Sequence, residues 1–323
     1  MFKRGLVIGK FYPPHRGHKY LIDTAAASAE SVTVIVCYKS TETIPGSLRA
    51  SWIQTIHPTV RVILIEDYKL ADDDSAGWAD YTKEILGYTP DAVFTSEEYG
   101  DPYASFMGCV HVLVDKARVL VPISGTLVRS NPLKYMKYLE PCVRAYFHKR
   151  ICVLGAESTG TTTLASALAT HYKTVWVPEY GRFYSEGKLT LDEKIMWTTD
   201  EFTKIALAQK QLEDSLALCA DQLVISDTDA FATSVWHERY VGSISSEVEK
   251  IADSSPHDLY ILTGDEIPFV QDGTRDGEHI RHDMHQRFAE KLTETKRPFI
   301  EVRGSKTERL QTAIAAIDKM MSM

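Results

Sequence analysis

The sequence lacks any long hydrophobic run. Its apolar pieces, such as Val32–Val36 and Val62–Ile65, fall far short of the ~18 residues that would span a bilayer, which argues against a membrane protein. The start of the chain, Met1–Arg4, passes into a strand-like segment without the apolar core of a signal peptide. A cytoplasmic location with no membrane partner is therefore expected.

Cysteine is scarce and scattered. The chain has five cysteines, an odd number, and none forms a C-x-x-C pair. Neither a disulfide framework nor a thiolate zinc site is predicted, and the cysteines are interpreted as small buried apolar residues. They are Cys37, Cys109, Cys142, Cys152 and Cys219.

An excess of basic charge is also missing. The formal net charge is -8, and residues 1–150 hold 18 Lys and Arg against 16 Asp and Glu, which leaves 18 against 28 for the rest. A surface that binds duplex nucleic acid is not expected from this balance. A local phosphate site remains compatible with it, because backbone N–H groups bind phosphate without net charge.

What the sequence does contain is a repeated alternation of short β-branched runs and longer helical stretches. Over 323 residues this pattern favours two α/β domains, each with a parallel sheet covered by helices. The junction is expected near Phe147–Arg150, after a helical segment over Pro132–Tyr146. A long helix is predicted around Leu191–Ala220 and a last one from Lys306. The predicted strands are Gly5–Ile8, Val32–Cys37, Arg61–Glu66, Ala92–Thr95, Val110–Val114, Arg150–Leu154, Thr174–Val177, Leu223–Ser226, Leu259–Leu262 and Pro298–Val302.

The first strand leads into a segment suited to phosphate, Gly9–His18, followed by a helix expected from about Lys19. A glycine at position 9 lets a phosphate approach the backbone, and the helix N-terminus attracts anions. His15 and His18 lie three residues apart and can donate to the same phosphates, which would stabilise charge on a leaving pyrophosphate. A metal pair and two surface histidines are the alternatives.

A second segment of this kind, Ile123–Arg129, supplies a glycine, two hydroxyls and an arginine at the start of another helix. Together the two segments resemble the signatures of the nucleotidyltransferase superfamily. The whole chain resembles the NadR-type bifunctional nicotinamide-nucleotide adenylyltransferases and ribosylnicotinamide kinases, including its segments Phe94–Gly100 and Val114–Arg118. The resemblance implies a Rossmann-like nucleotidyltransferase domain over residues 1–148 and a P-loop kinase domain over residues 149–323.

The reaction that this resemblance implies for the first domain is attack by the phosphate of nicotinamide mononucleotide on ATP, giving NAD and pyrophosphate. The nucleophile is already an anion, so no general base is needed; His15, His18, Arg129 and Mg²⁺ are expected to position and stabilise charge. Arg49 and Trp52 are expected near the nicotinamide nucleotide, with an ordinary core position as the alternative for Trp52. The residues expected to bind ATP are Gly9, Lys10, Phe11, His15, His18, Ser124, Gly125, Thr126 and Arg129.

The second half opens with a P-loop pattern that has lost its lysine. Relative to G-x-x-x-x-G-K-[ST], the glycines and Thr162 are in register, but Thr161 occupies the position of the lysine that bridges the β- and γ-phosphates. Backbone N–H groups would still hold phosphates, and Thr162 would still ligate Mg²⁺. The loop residues expected to bind ATP are Gly155, Glu157, Ser158, Thr159, Gly160, Thr161, Thr162 and Thr163.

Three later segments favour a kinase that uses ATP and Mg²⁺. Pro178–Arg182 follows the next strand, where related kinases place an acid against the substrate sugar. Ser226–Asp229 ends the third strand in the place of a Walker B carboxylate. Asp272–Arg275, with Arg281 beyond it, resembles a lid that closes on ATP.

The roles expected of these residues follow from that resemblance. Glu179, Tyr180, Arg182 and Asp229 are expected at the riboside, and Thr162 and Asp227 at Mg²⁺. Transfer to a hydroxyl requires a general base, and the choice between Glu179 and Asp227 is left open. We hypothesise that Arg275 or Arg281 supplies the charge that the P-loop lacks.

Plainer interpretations stand beside these. Asp229 could be a helix cap and Arg275 a surface residue. A zinc site at His279, His282 and His285, which recur every third residue, is the weaker alternative to a lid.

The leading hypothesis is thus a bifunctional enzyme that makes NAD from nicotinamide riboside in two ATP-consuming steps. One alternative is an active adenylyltransferase joined to a weak P-loop domain that senses nucleotides. A transcriptional repressor is not expected, because the sequence begins at its first strand without an N-terminal helix-turn-helix and carries negative charge. A homo-oligomer is left open, and ATP, nicotinamide mononucleotide and nicotinamide riboside are the expected partners.

Overall fold

The computed structural model describes residues 1–67, 70–71, 73–190, 196–273, 275 and 277–322. The chain forms two compact units, Met1–Phe147 and His148–Met323. No helix in the described part of the chain is long and apolar enough to cross a membrane.

The first unit alternates strands and helices along the chain. A 3₁₀ helix, Leu133–Tyr138, precedes its last α-helix. In order, its elements are β1 (Phe2–Gly9), α1 (Arg16–Ser28), β2 (Ala29–Tyr38), α2 (Gly46–Ile56), β3 (Arg61–Glu66), α3 (Ser75–Leu86), β4 (Ala92–Thr95), α4 (Gly100–Met107), β5 (Val110–Leu113), α5 (Gly125–Ser130) and α6 (Pro141–Phe147).

Its five strands form a parallel sheet in the order β3-β2-β1-β4-β5. Alternate residues of β1 face opposite sides: Val7 packs with Val34 and Phe94 in one core, whereas Leu6 and Ile8 pack in the other. Helices cover both faces, which is why the strands read as continuous apolar runs. The strand order reverses between β1 and β4, and ligands of such sheets bind at the carboxyl ends of the strands at that point.

The second unit repeats this architecture. A 3₁₀ turn, Glu278–Ile280, precedes its penultimate α-helix. Its elements are β6 (Lys149–Leu154), α7 (Thr161–Tyr172), β7 (Val175–Val177), α8 (Tyr180–Leu189), α9 (Thr199–Ala217), β8 (Leu223–Asp227), α10 (Ala230–Val241), α11 (Ser246–Asp253), β9 (Leu259–Thr263), α12 (Arg281–Glu294), β10 (Phe299–Val302) and α13 (Lys306–Met321).

The second sheet is also parallel, in the order β10-β9-β6-β8-β7, with its first strand at the centre. Ile151 and Val153 of β6 pack in one core, and Cys152 and Leu154 in the other. Parallel pairing brings the loops after β6, β7, β8 and β9 to one edge of the sheet. The α/β fold with two parallel sheets predicted from the sequence is confirmed.

Two predicted helices differ from the observed ones. The helix expected from Lys19 begins at Arg16, because His15 caps it. The segment expected to be one helix over Pro132–Tyr146 is interrupted at Leu139, which is extended. Pro141 explains the interruption, since it lacks an N–H group and disfavours a helical conformation in the residue before it.

The long helix expected around Leu191–Ala220 is α9, which begins after the capping box of Thr198 and Glu201. Residues 191–195 of that prediction lie outside the described residues.

Two candidate phosphate-binding sites

The first site is a cavity of about 690 Å³ at the carboxyl ends of β1 and β4. Its size suits a nucleotide ligand. All nine residues that the sequence predicted to bind ATP in this unit line the cavity: Gly9, Lys10, Phe11, His15, His18, Ser124, Gly125, Thr126 and Arg129.

The two histidines of the first motif form a stacked pair. Their ring centroids lie 3.7 Å apart with an interplanar angle of 18°. The Nδ1 atom of His15 accepts a hydrogen bond of 3.3 Å from the backbone N–H of His18, which leaves its Nε2 as the protonated nitrogen. Phe11 packs edge-on against His18, with ring centroids 5.0 Å apart.

Both imidazoles are neutral at pH 7. Burial, followed by the positive charge of Arg118, lowers the pKa of His15 to about 4. Burial, His15 and Arg118 together hold the pKa of His18 well below its ordinary value. The pair therefore offers uncharged hydrogen-bond donors, and positive charge must come from other residues.

Arg129 supplies some of that charge and joins the two motifs. Its guanidinium donates to the carbonyl of Tyr12 over 2.5 Å and to Oγ1 of Thr126 over 3.2 Å, and it lies 4.5 Å from the centroid of the Tyr12 ring. A Cβ atom on Gly125 would lie 2.6 Å from the same carbonyl. Only glycine therefore lets α5 approach the first motif this closely.

Carboxylates also line this cavity, although the motifs contain none. Glu97 accepts a hydrogen bond of 2.9 Å from Arg118, and Asp115 accepts bonds from three successive backbone N–H groups. Asp67 is buried 3.5 Å from the Nζ of Lys39 and 4.0 Å from that of Lys10. These contacts compensate the negative charge before any phosphate arrives.

The structure does not bring Arg49 and Trp52 to the cavity wall. Arg49 is fully buried and donates to Glu42 and to the carbonyl of Lys10, both over 2.5 Å. Trp52 is 5% exposed and packs in a hydrophobic cluster against Tyr146. The geometry thus gives Arg49 a positioning role under the first motif and makes Trp52 a core residue, as the alternative interpretation had it.

The second site is a cavity of about 230 Å³ at the carboxyl edge of the second sheet. The loop between β6 and α7 forms one wall. Ser158 and Gly160 adopt positive φ angles of 59° and 85°, which curl the loop so that successive N–H groups can face a phosphate. The predicted residues that line the cavity are Gly155, Glu157, Ser158, Gly160, Thr161, Thr162, Thr163, Glu179, Arg182 and Arg275.

Thr159, also predicted to bind ATP, is buried under the loop. Its hydroxyl donates to the carbonyl of Ala156 over 2.6 Å and lies 2.7 Å from the hydroxyl of Thr263. Arg309 donates to the carbonyl of Thr159 over 2.7 Å and to that of Gly264 over 3.0 Å. These contacts fix the shape of the loop from behind.

Asp227 ends β8 next to the start of α7. Burial raises its pKa, and the hydroxyls of Thr162 and Thr161 oppose that shift by stabilising the charged form. Its Oδ1 atom is buried without a hydrogen-bond partner. A buried carboxylate oxygen beside a threonine hydroxyl is the donor set that Mg²⁺ takes in P-loop proteins, so these residues fit the cation.

Glu179 lies at the N-terminus of α8 and lines the cavity. Burial, followed by the negative charges of Asp227 and Glu157, raises its pKa to about 8, although Arg182 and Arg275 oppose the shift. A carboxyl group tuned this close to neutrality is typical of general acid–base catalysis.

The predicted lid segment is attached to the P-loop. The Oγ of Ser158 accepts a hydrogen bond of 2.9 Å from the backbone N–H of Val270, and Glu157 accepts one of 3.3 Å from Gly277. Asp272 bridges Arg182 and Arg275 with N···O distances of 2.5 and 3.1 Å. Thr274 of the predicted segment lies outside the described residues.

Besides Thr159 and Asp227, three other predicted residues are not on the wall of the second cavity. The guanidinium of Arg281 is buried and donates to the carbonyl of Ile267 over 2.8 Å. The backbone N–H of Tyr180 donates a hydrogen bond to the side chain of Gln209, and its ring centroid lies 6.0 Å from that of Phe183.

The third, Asp229, caps α10 by accepting from the N–H of Ala232 over 2.9 Å. It is 2% exposed, accepts a hydrogen bond of 2.9 Å from Tyr260 and lies 3.2 Å from Nδ1 of His257. His257 lowers its pKa, although burial acts in the opposite direction. Asp229 is therefore a buried helix cap in an ion pair, and the geometry gives no support to a contact with ribose.

The three histidines considered as a zinc site do not converge. His282 lies 3.0 Å from Asp265, whereas His285 lies 3.0 Å from Glu301. Among the described residues, no group of three or more His, Cys, Asp or Glu side chains is arranged to hold a metal ion.

Comparison with known proteins follows the same division. A family described as AAA domain matches residues 150–309. The chain is 31% identical to the trifunctional NAD biosynthesis/regulator protein NadR of Escherichia coli strain K12, over 92% of this chain and 78% of that protein. The chain belongs to the NadR family.

A second NadR-family relative and two solved structures extend this match. The NadR protein of Salmonella typhimurium is 30% identical over 98% of this chain and 83% of its own length. A crystal structure of NadR in complex with NR superposes with a TM-score of 0.80 at 20% identity, covering 99% of this chain and 96% of that one. A NadR structure in complex with NAD and AMP-PNP gives the same TM-score and covers 100% and 97%. At this identity these two likenesses show the NadR fold.

Several cavity residues escaped the sequence reasoning. Arg118 was only part of a similar segment, yet its charge acts on both histidines of the first site. Trp78 lines the first cavity, and Trp197 and Trp236 line the second. Three of the five tryptophans in the chain thus face a cavity. The rarity of tryptophan was the signal that could have found them.

Proposed function

We propose that the protein makes NAD in two steps, each consuming ATP. The second unit phosphorylates nicotinamide riboside to the mononucleotide, and the first unit adenylylates the mononucleotide to NAD. The observation that carries the proposal is the presence of two separate cavities, each built on a phosphate-binding loop after the first strand of its sheet. The names of the NadR relatives and the ligands in the titles of the solved NadR structures support it.

In the first unit, the mononucleotide phosphate attacks the α-phosphorus of ATP and the bond to the pyrophosphate oxygen breaks. No proton has to be removed from the nucleophile. The neutral His15 and His18 donate hydrogen bonds to the phosphates, and Arg118, Arg129 and Lys10 supply positive charge for the leaving pyrophosphate. Mg²⁺ bound to the phosphates would neutralise further charge.

Trp78 is a better candidate than Arg49 and Trp52 for recognising the nicotinamide nucleotide. It lines the first cavity and is partly exposed, whereas Arg49 and Trp52 are buried and do not line it. An indole ring can stack on an aromatic base, and a ring that carries positive charge gains further from the face of the indole.

In the second unit, the 5′-hydroxyl of the riboside attacks the γ-phosphorus of ATP, the bond from this phosphorus to the β,γ-bridging oxygen breaks, and ADP leaves. We assign Glu179 as the base that accepts the hydroxyl proton, because it lines the cavity and its pKa is close to neutrality. Thr162 and Asp227 would hold Mg²⁺, which neutralises charge on the phosphates when bound.

Aromatic side chains also line the second cavity. Trp197 lies 5.3 Å from Phe202 and 5.6 Å from Tyr240, and Trp236 lies 6.1 Å from Tyr240 (ring centroids). All four line the cavity. Such walls favour a flat ring, and a cationic one such as nicotinamide most of all.

The alternative, a weak second unit that senses nucleotides, is favoured by one observation: Thr161 stands where kinases have lysine. One experiment separates the two functions. The protein is incubated with nicotinamide riboside, ATP and Mg²⁺, and the products are resolved by mass. Formation of the mononucleotide or of NAD supports the kinase; binding of ATP without either product supports the sensor.

A further inference from the structure

The missing lysine leaves a charge deficit at the P-loop. Thr161 begins α7, and its hydroxyl stabilises the charged form of Asp227 beside Thr162. The residue at the lysine position is therefore neutral and directed to a carboxylate. In P-loop enzymes the lysine neutralises the phosphates during transfer, so another cation is needed if this unit is a kinase.

Two arginines close to the loop are already neutralised elsewhere. Arg309 donates to two backbone carbonyls and pairs with Glu266 at 2.6 Å. Arg281 is 5% exposed and donates to the carbonyl of Ile267. Neither lines the cavity, so the sequence hypothesis that Arg281 replaces the lysine loses its support.

Arg182 and Arg275 differ from these two. Both line the cavity that contains Thr161 and Thr162. Asp272 bridges them, and Glu186 also pairs with Arg182 at 3.1 Å, so carboxylates hold both guanidinium groups at the cavity wall. The positive charge of the two arginines reaches the site, because both act against the raised pKa of Glu179.

The P-loop itself holds the segment that carries Arg275. The Oγ of Ser158 accepts from the N–H of Val270, and Arg275 donates to the carbonyl of the same residue. Glu157 accepts from the N–H of Gly277 on the other side of Arg275. The segment is thus fastened to the loop on both sides of the arginine.

We propose that Arg182 and Arg275, held by Asp272, are the cations that replace the P-loop lysine in phosphoryl transfer. This rests on the proposed kinase activity of the second unit. Arg182 comes from the first turn of α8 and Arg275 from the lid segment, so the pair is complete only when that segment lies against the P-loop. The ligand of this pair is a nucleoside triphosphate with its Mg²⁺, bound through the triphosphate.

The test is a set of double-mutant cycles in the full-length protein. Arg182→Ala and Arg275→Ala are made in the parent and in Thr161→Lys, and turnover of nicotinamide riboside with ATP and Mg²⁺ is measured. In the parent we expect each arginine variant to lose about 100- to 1000-fold in kcat. This loss is smaller than that for a single arginine finger, because the other arginine of the pair remains. In Thr161→Lys the same changes are expected to cost about tenfold or less, because the lysine again carries the charge.

The matched control is Arg303→Ala. Arg303 is 49% exposed and pairs with carboxylates, much as Arg182 is 40% exposed and pairs with Asp272, but it does not line the cavity. The proposal is overturned if the arginine variants lose no more than this control, or if they lose equally with and without the lysine. Thermal unfolding checks that each variant folds, and Arg182→Gln and Arg275→Gln replace any alanine variant that does not.

ATP affinity distinguishes failure of this inference from failure of the proposed function. If the parent forms neither the mononucleotide nor NAD from the riboside, the kinase function fails, and the arginine pair is then judged by titration calorimetry with Mg²⁺ and ATP. Arg182→Ala and Arg275→Ala are expected to weaken ATP binding about tenfold or more relative to Arg303→Ala. If the arginine variants and Arg303→Ala bind ATP with equal affinity, the pair does not bind the phosphates and the proposal is overturned.

Discussion

At the scale of single residues, the two histidines of the first site act as donors without charge. Burial and Arg118 keep His15 neutral, and the backbone N–H of His18 fixes its tautomer. His18→Ala is expected to lower kcat for NAD formation from the mononucleotide by about 100- to 1000-fold, since it removes a preorganised donor. Steady-state assay of pyrophosphate release measures this. A loss of less than about tenfold would contradict a role in the transition state.

The neutrality of the pair has a signature in pH. The folded-state pKa of His15 is about 4, below the 6.5 of an unfolded chain. The rate of adenylyl transfer is therefore expected to stay flat between about pH 7 and 8.5, a range that also lies above the second pKa of the substrate phosphate, near 6. A fall in rate across that range that His18→Ala abolished would show a protonated imidazole instead.

The lowered pKa of His15 also determines how the stability of the first unit changes with pH. Below pH 6.5 the unfolded chain takes up the proton that buried His15 refuses, so the unfolded state binds more protons. The free energy of unfolding of the first unit is expected to fall as pH drops from 6.5 towards 4. Denaturant titration at several pH values measures it, and a His15→Asn variant with an equally steep decline would contradict the assignment.

Unlike the first activity, the second activity is expected to depend on pH, through Glu179. Its pKa of about 8 in the free enzyme means that most molecules carry it protonated at pH 7. As a base it must be deprotonated, so kcat/KM for the riboside is expected to rise with pH and level off above about 8. In Glu179→Gln, kcat/KM is expected to fall about 100- to 10,000-fold, and its pH dependence is expected to disappear. If the slope survives in Glu179→Gln, Asp227 becomes the better base.

At the scale of elements, α10 depends on its first residue. Asp229 caps the helix and pairs with buried His257. Asp229→Ala is expected to cost about 3–5 kcal/mol of stability, because it removes the cap and one of the two buried carboxylates that pair with His257. Denaturant unfolding measures the loss, with Asp229→Asn, which keeps the cap, as the milder control. A raised KM for riboside with normal stability would restore the ribose contact instead.

The strands were predictable because of where they lie. Parallel strands covered on both faces consist of apolar β-branched residues, so segments such as Val32–Cys37 and Leu223–Ser226 identify themselves. Helix limits depend on single groups that the hydrophobic pattern does not contain. His15 moved the start of α1 by acting as a cap, and Pro141 divided a predicted helix.

The site was predictable where one loop makes it and not where distant elements meet. Motif residues such as Gly9, His15 and Gly160 each lie in one short loop, so their spacing in the sequence reveals them. Trp78 and Trp236 reach the cavities from helices whose orientation only the folded sheet determines. Arg275 and Arg281 look equivalent in sequence, yet one lines the cavity and the other is buried.

At the scale of the whole molecule, the proposed function assigns separate chemistry to the two units. Each has its own sheet, core and cavity. With riboside and ATP, His18→Ala is therefore expected to accumulate the mononucleotide. Glu179→Gln is expected to form the mononucleotide about 100- to 10,000-fold more slowly, but to convert added mononucleotide to NAD at the parent rate. Product analysis by mass decides this, and loss of both activities in either folded variant would show that the reactions depend on each other.

The P-loop shows which residues of a phosphate-binding site can be substituted. The atoms that hold phosphate there are amide hydrogens of the main chain, shaped by positive φ angles at Ser158 and Gly160. Every amino acid except proline carries such an amide, so substitution of a side chain leaves the phosphate-binding amide groups in place. A lineage can thus lose the lysine in one generation and acquire a substitute cation in a later one, without passing through a form that no longer holds its nucleotide.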